Sequence, residues 1–267
     1  MPVEIMGIVN VTPDSFSDGG KWDSVDAAIA HGRELITQGA TILDIGGEST
    51  RPGAEHLTWE TEWERICKVV EVLSQETTVS VDTYHAQTAA KAVAAGAHIV
   101  NDVTGGAGDK NMFATVADLD CSYILQHARG NSQTMNSLAV YEGPVAVVVV
   151  DELVESRDAA IEAGISSDRI ILDPGLGFAK LGEQDWEILA DIGMFLELGH
   201  PILIGQSRKR FLSAVVPDST PLERDIATAT ISGLLSETGV WVVRVHNVAA
   251  SAQAIGVHRK LSSLGAW

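Results

Sequence analysis

Positive charge is scarce in this 267-residue chain: 18 Lys and Arg stand against 36 Asp and Glu, a formal net charge of −18 at pH 7. No basic run longer than the three residues Arg208-Lys209-Arg210 occurs along it. A surface of that sign repels polyanions, which argues against a nucleic-acid partner and against an anionic-membrane partner. Any anionic ligand must be held by a few local cations. Cysteine is nearly absent too, with only Cys67 and Cys121, and neither forms a CxxC pair or joins a His cluster. Both are expected to be free, buried thiols in a reducing compartment. The longest apolar run, Val145 to Val150, falls far short of the about 20 residues that cross a bilayer. The N-terminus enters a strand-like run without a basic region or cleavage site, so the expected location is the cytoplasm. Aromatic residues make up only 5% of the chain, which leaves aliphatic side chains to build its core.

What the chain does have is a repeated pattern. Eight short apolar runs recur, at Ile5 to Val11, Thr41 to Gly46, Thr78 to Thr83, His98 to Val103, Ser122 to His127, Ile170 to Asp173, Pro201 to Gly205 and Val240 to Val245. Near-continuous apolar runs of this length are strands buried on both faces of a parallel sheet. Between them the spacing turns helical, as in Val25, Ile29 and Leu35 leading to Gly39. The run Val145 to Val150 has strand propensity, but Pro144 ahead of it and Gly164 after Ala163 frame a helix. Eight βα units without a linker predict an α/β fold, a (β/α)8 TIM barrel, with residues 1–267 as its one domain. An open doubly wound sheet is the alternative.

Such barrels work at the C-terminal ends of their strands. Asn10 ends the first run and leads into a Gly-, Ser- and Pro-rich loop carrying Phe16 and Asp18. The second leads into Ser49-Thr50-Arg51-Pro52-Gly53. Both loops read as lids that exclude water. Asp82, Asn101 and Asp173 interrupt apolar strands at one end. Buried polar groups need partners, so the three together imply a ligand or a dense network, and their planar groups suit the edge of a flat heterocycle. Asp44 and Asp102 are read instead as loop caps or surface carboxylates. Arg51, Lys209, Arg244 and His246 gather the scarce positive charge and suit a phosphate or diphosphate; pairing with Asp82 or Asp173 is the plainer alternative. Ser207 begins the loop into the seventh helix, whose N–H groups and dipole would favour a carboxylate, or else is a simple N-cap. His127 is either a general base or a satisfied structural group, and no ligand spacing suggests zinc.

The stretches Met6-Gly7-Ile8-Val9-Asn10-Val11-Thr12-Pro13-Asp14-Ser15-Phe16-Ser17-Asp18-Gly19-Gly20 and Gly46-Gly47-Glu48-Ser49-Thr50-Arg51-Pro52-Gly53 resemble the dihydropteroate synthase family. The likeness continues in Ser80-Val81-Asp82-Thr83, Asn101-Asp102-Val103, Asp173-Pro174-Gly175-Leu176-Gly177-Phe178-Ala179-Lys180, Gly205-Gln206-Ser207-Arg208-Lys209-Arg210-Phe211 and Arg244-Val245-His246, in barrel order. The resemblance implies a (β/α)8 barrel of folate biosynthesis. Its reaction joins 6-hydroxymethyl-7,8-dihydropterin diphosphate to p-aminobenzoate, releases diphosphate and uses Mg²⁺. It also implies residue roles. Asp82, Asn101, Asp173 and Lys209 would hold the pterin, with Phe178 among the substrate-binding residues. Asn10, Arg51, Arg244 and His246 would bind the diphosphate, Asn10 near Mg²⁺. Phe16, Thr50, Pro52 and Ser207 would shape the aminobenzoate pocket, a sulfonamide target, with Asp18, Arg51 and Lys209 as the catalytic set. A homodimer through helices remote from the site is implied as well. Gln126 departs from the family's usual Met and questions the apolar packing expected beneath the pterin.

Three other readings stay in play. One is a pterin-binding methyltransferase domain, and one is a pterin-binding paralogue without turnover. The third, a Schiff-base aldolase using Lys209, needs a lysine of depressed pKa in an apolar pocket, and the flanking Arg208 and Arg210 argue against that.

Overall fold

Each strand sorts its side chains into two layers, because successive residues point to opposite faces. The computed structural model describes residues 2–12, 21–49, 56–131 and 133–265. Its eight strands are β1 (Glu4–Asn10), β2 (Ile42–Gly46), β3 (Thr78–Asp82), β4 (Ile99–Asp102), β5 (Ser122–Gln126), β6 (Ile170–Asp173), β7 (Leu203–Ile204) and β8 (Val242–Val245). They pair in parallel in the order β6-β5-β4-β3-β2-β1-β8-β7. A single bridge, Leu172 to Ile202, joins β6 to the β7 edge and closes the barrel. The eight expected runs are the eight strands: β6 keeps the expected bounds, β1 begins one residue earlier and ends one earlier, and the others are trimmed at one or both ends. β7 is the exception in length: Pro201 accepts from the Leu172 amide, while Ile202 forms the bridge and accepts from the Trp241 and Val242 amides.

One layer faces the helices. Ile5, Val9, Leu43, Ile45, Val79, Val81, Val100, Tyr123, Leu125, Leu172, Ile204, Val243 and Val245 pack there with the helical stripes. The alternate residues fill the barrel. Met6, Ile42, Ile99, Ile124, Ile171, Leu203 and Val242 form a separate apolar plug, one from each strand except β3. Each such side chain contributes about 1.5–3 kcal/mol when fully buried. β3 presents Ser80 and Asp82 on that same face, so the plug gives way to polar groups as the strands reach their C-terminal ends.

The helices are α1 (Lys21–Gln38), α2 (Trp59–Leu73), α3 (Ala86–Ala94), α4 (Met112–Ala117), α5 (Val145–Glu162), α6 (Glu183–Ala190), α7 (Ile192–Leu196), α8 (Asp225–Leu235) and α9 (Val248–Ser262). The valine run is helical, with Val145, Ala146, Val149, Leu153 and Ala160 forming its buried stripe. Pro144 is its N-cap, one position outside the helix. Gly164, at φ +105°, turns the chain so that the Ile165 amide reaches the Ala160 carbonyl. Cys121 is buried as expected, but Cys67 on α2 is only half-buried, and both are free. Among the described residues, no helix is long and apolar enough to cross a membrane.

Candidate active site

The inward face of the last strand rungs carries an ion network. Arg244 on β8 donates through Nε to Asp44 Oδ2 at 2.6 Å and through Nη2 to Asp82 Oδ2 at 2.7 Å. Asn101 on β4 donates through Nδ2 to the same Asp44 oxygen at 3.0 Å. Asp44 is therefore no loop cap or surface carboxylate: it is fully buried and joins three strands. It sits two residues before the end of β2, a rung lower than the ends by which the strands were read. Asp102 does cap its loop. It accepts from the Thr104 and Gly106 amides at 2.8 and 2.9 Å, although it is buried and also holds the Tyr123 hydroxyl.

Three buried polar atoms of this region, Asp44 Oδ1, Asn101 Oδ1 and Ser80 Oγ, have no hydrogen-bond partner among the described residues. Leaving such groups unpaired costs about 1–3 kcal/mol each, so they suit a ligand with complementary donors or an ordered water. Electrostatics follow from the burial. Desolvation pushes the Asp82 carboxyl up to about 7, against the pull of Arg244 and with the help of neighbouring Asp44. Burial also raises Asp173, which Lys209 opposes.

Asp173 ends β6 beside Gln126, and its Oδ1 accepts from the Gly175 amide at 2.7 Å. Facing it, the Lys209 ammonium donates to the Leu176 carbonyl and lies 4.9 Å from the centre of the Phe178 ring. A side chain at Gly205 would stand 3.7 Å from Lys209 Nζ and 3.8 Å from Asp173 Oδ2, so that glycine keeps the space between them open. Burial pulls Lys209 down to about 8, with Asp173 and Asp185 opposing. The lysine is thus depressed after all, by burial and not by its sequence neighbours, since Arg208 turns away to pair with Asp225 at 2.6 and 2.9 Å. The apolar pocket of an aldolase lysine is nevertheless missing, since a carbonyl and two carboxyls surround this one.

Ser207 does not open an α-helix. After β7 the chain makes a turn and a short 3-10 helix at Arg210–Ala214, and α8 begins only at Asp225. Arg208 holds a left-handed backbone, φ +60°, which its amide bond to Thr228 and its ion pair to Asp225 maintain. That twist separates two directions: Lys209 goes into the mouth, while the Ser207 hydroxyl meets His246 Nδ1 at 2.9 Å and accepts from the His246 amide at 3.1 Å. A helix dipole is thus not available to Ser207; a hydroxyl, an imidazole and two cations nearby in sequence are.

His127 is a satisfied structural group. It is buried, bonds Glu152 at 2.7 Å and Lys180 at 2.8 Å, and burial beside the Lys180 charge pulls it down to about 4. Gln126 is buried and donates to the Val103 carbonyl at 3.0 Å, which spends its amide on the barrel wall. Asn10 is half-buried at the end of β1, beside Gly46. Phe16, Asp18, Thr50, Arg51 and Pro52 lie outside the described residues. The structure therefore brings together Asp82, Asn101, Arg244 and the unexpected Asp44 on one side of the mouth. Asp173, Phe178 and Lys209 stand on another, and Ser207 with His246 form a third group. Asp44 and Lys180 were the residues that strand-end reading missed. The signal for Asp44 was its parity with Gly46, which puts it on the inward face.

A parallel barrel whose interior turns from an aliphatic plug to paired acids, amides and cations at the C-terminal mouth belongs to the barrel enzymes that hold a polar small molecule there. The chain belongs to the pterin-binding enzyme family, whose model matches residues 6–246. It is 42% identical to the dihydropteroate synthase of Mycobacterium leprae, over 100% of this chain and 94% of that protein. Among solved structures, Xanthomonas albilineans dihydropteroate synthase with 4-aminobenzoic acid superposes with a TM-score of 0.90 at 40% identity, covering 98% of this chain and 93% of that one. The Yersinia pestis dihydropteroate synthase with a sulfonamide drug gives a TM-score of 0.90 at 31% identity, covering 98% and 95%.

Proposed function

We infer that this enzyme condenses 6-hydroxymethyl-7,8-dihydropterin diphosphate with p-aminobenzoate to give 7,8-dihydropteroate and diphosphate, with residues 1–267 as its one catalytic domain. The observation that carries this reading is the meeting of Asp44, Asp82, Asn101 and Arg244 inside a barrel mouth that leaves buried acceptors unpaired. Those acceptors match the N–H edge of a pterin, and Asp173 with Lys209 supplies the opposite polarity across the ring, beside Phe178.

The chemistry follows from the bond that breaks. Diphosphate leaves a methylene attached to an electron-rich ring, so a pterin methylene cation forms before the weakly nucleophilic arylamine attacks. Arg244 spends two donors on carboxylates and keeps the rest of its fork for the leaving group. Arg51, His246 and Asn10 are the other residues we assign to the diphosphate, an electrostatic role that acts as charge develops. Asp18 stabilises the cation, and Phe16, Thr50, Pro52 and Ser207 receive the aminobenzoate, with the Ser207 hydroxyl at its carboxylate. Sulfonamides, as aminobenzoate mimics, compete there.

Mg²⁺ fits an ion carried by the substrate. Asn10 offers one neutral amide oxygen, and among the described residues no group of three or more His, Cys, Asp or Glu could hold a metal. Magnesium commonly completes its shell with water and phosphate oxygens, and when bound it neutralises charge on the leaving diphosphate. We also propose a cytoplasmic homodimer. The support for its contact is apolar exposure on α8 and α9, where Ile226, Leu234 and Val257 are 80%, 62% and 63% exposed. Diphosphate release measured with both substrates and with each omitted tests the reaction. Release that p-aminobenzoate does not stimulate, or none with both substrates, would overturn it.

A further inference from the structure

We propose that Lys180 is a positioning residue for pterin binding: its buried ammonium, seated on His127 and two loop carbonyls, fixes the β6–α6 loop that presents Phe178 and the carbonyl partner of Lys209. The inference rests on pterin occupying that mouth.

A lysine that is 3% exposed must find partners for its charge. Lys180 Nζ lies 2.8 Å from His127 Nδ1, 3.1 Å from the Gly175 carbonyl and 3.0 Å from the Phe178 carbonyl. An ammonium has three N–H donors and no acceptor, so three acceptors satisfy it as a cation. This seating sets the imidazole tautomer. Nδ1 must accept, so Nε2 carries the proton and donates to Glu152 Oε2 at 2.7 Å. Arg129 holds that carboxylate from the far side. The chain of contacts runs from the loop, through the end of β5, to α5.

The loop needs such ties. Gly175, Gly177 and Ala179 have φ of +69°, +73° and +50°, and for alanine the left-handed region costs about 1–2 kcal/mol. Its backbone groups are held one by one from outside. Asp173 takes the Gly175 amide and Asp185 the Gly177 amide, at 2.7 and 2.6 Å. The Tyr141 hydroxyl donates to the Ala179 carbonyl at 2.9 Å, and Lys209 donates to that of Leu176. Lys180 is the one tie that grips two carbonyls, on either side of the segment that Lys209 touches. Without it, the Phe178 ring and the Leu176 carbonyl are free to shift beneath Lys209. No proton transfer is involved.

The titratable and charged groups facing Lys180 are Arg129 and the neutral His127 after β5, Glu152 on α5, Asp173 at the end of β6, Asp185 on α6 and Lys209 after β7. Burial pulls Lys180 down and the Lys209 charge adds to that, while Asp185 and Asp173 oppose it.

The test compares the full-length enzyme with Lys180→Met and His127→Leu. It uses fluorescence titration with 6-hydroxymethylpterin, steady-state KM for both substrates, and thermal melting. In Lys180→Met we expect pterin binding to weaken roughly ten- to hundredfold, the loss of a hydrogen-bonded charge. The p-aminobenzoate KM should stay unchanged. His127→Leu should show a smaller loss of the same kind and decides the matter if Lys180→Met does not fold. Unchanged pterin affinity in a folded variant overturns the proposal. So does a parallel loss for both substrates, which is what a merely structural role would give. Failure of the unaltered enzyme to bind pterin would instead overturn the proposed function.

Discussion

Asp44 Oδ2, on the second strand, accepts from Arg244 Nε on the eighth at 2.6 Å, and the same oxygen accepts from Asn101 at 3.0 Å. One carboxylate oxygen thus orients both the cation and the amide of the candidate pterin face. Removing a buried pair's partner leaves its charge uncompensated, at a cost of about 3–5 kcal/mol. Asp44→Ala should lower the unfolding free energy by that order in urea titrations and abolish measurable pterin binding. A loss of stability below about 1 kcal/mol would mean that Asp82 alone satisfies Arg244.

The Asp82 carboxyl predicts a pH dependence of definite sign. Burial raises it to about 7 in the folded protein, whereas an unfolded Asp titrates near about 4. The folded state therefore binds that proton more tightly. The resulting stabilisation is complete below about 4 and is lost as pH rises through about 7. Asp82→Asn should flatten this fall between those limits, measured by urea unfolding at stepped pH. A ligand N–H needs the carboxylate, so pterin binding below about 7 should release a proton, read by calorimetry in buffers of different ionisation heat. Binding enthalpies independent of buffer would sink the assignment.

The barrel was legible because periodicity survives folding: apolar runs buried on both faces and amphipathic helices are local patterns with one good solution. The valine run on α5 shows how context decides, since its β-branched residues still supply a helical stripe. Asp44 was misread because position along the chain does not give height in a sheared barrel. Register does, and it places Asp44 level with Ser80 on the inward face. Ser207 was misread for a different reason: the left-handed turn at Arg208 depends on Thr228 and Asp225, some twenty residues away, which no local signal carries. The seating of Lys180 depends likewise on His127, 53 positions earlier.

Lys209 gives a second pH signature, on the alkaline side. Burial pulls its ammonium down to about 8, so pterin affinity should fall as pH rises past that value and the charge facing Asp173 disappears. Lys209→Met should bind weakly at every pH and lose the limb. The same limb in Lys209→Met would assign it to another group. Borohydride with a carbonyl substrate should trap no adduct on this lysine, because its surroundings are polar. A stable adduct would favour the aldolase reading.

Gly175 and Gly182 make a matched pair for testing how rigidly the β6–α6 loop is held. Both have positive φ, +69° and +57°, although Gly182, at ψ −116°, lies outside the left-handed helical well. A methyl group at Gly182 meets nothing within 4 Å, so Gly182→Ala costs only the conformational penalty, about 1–3 kcal/mol. A methyl group at Gly175 overlaps the His127 carbonyl oxygen, part of the backbone beside the Lys180 seat, and no side chain can rotate to relieve it. Overpacking of that kind adds about 1–3 kcal/mol. Gly175→Ala should therefore melt several degrees below Gly182→Ala, at roughly 2–4 °C per kcal/mol for a domain near this size. It should also lose pterin affinity, which Gly182→Ala should keep. Equal melting temperatures and equal affinities would mean that the loop moves aside to admit the methyl group, and that its ties to His127 and Lys180 do not set the position of Phe178.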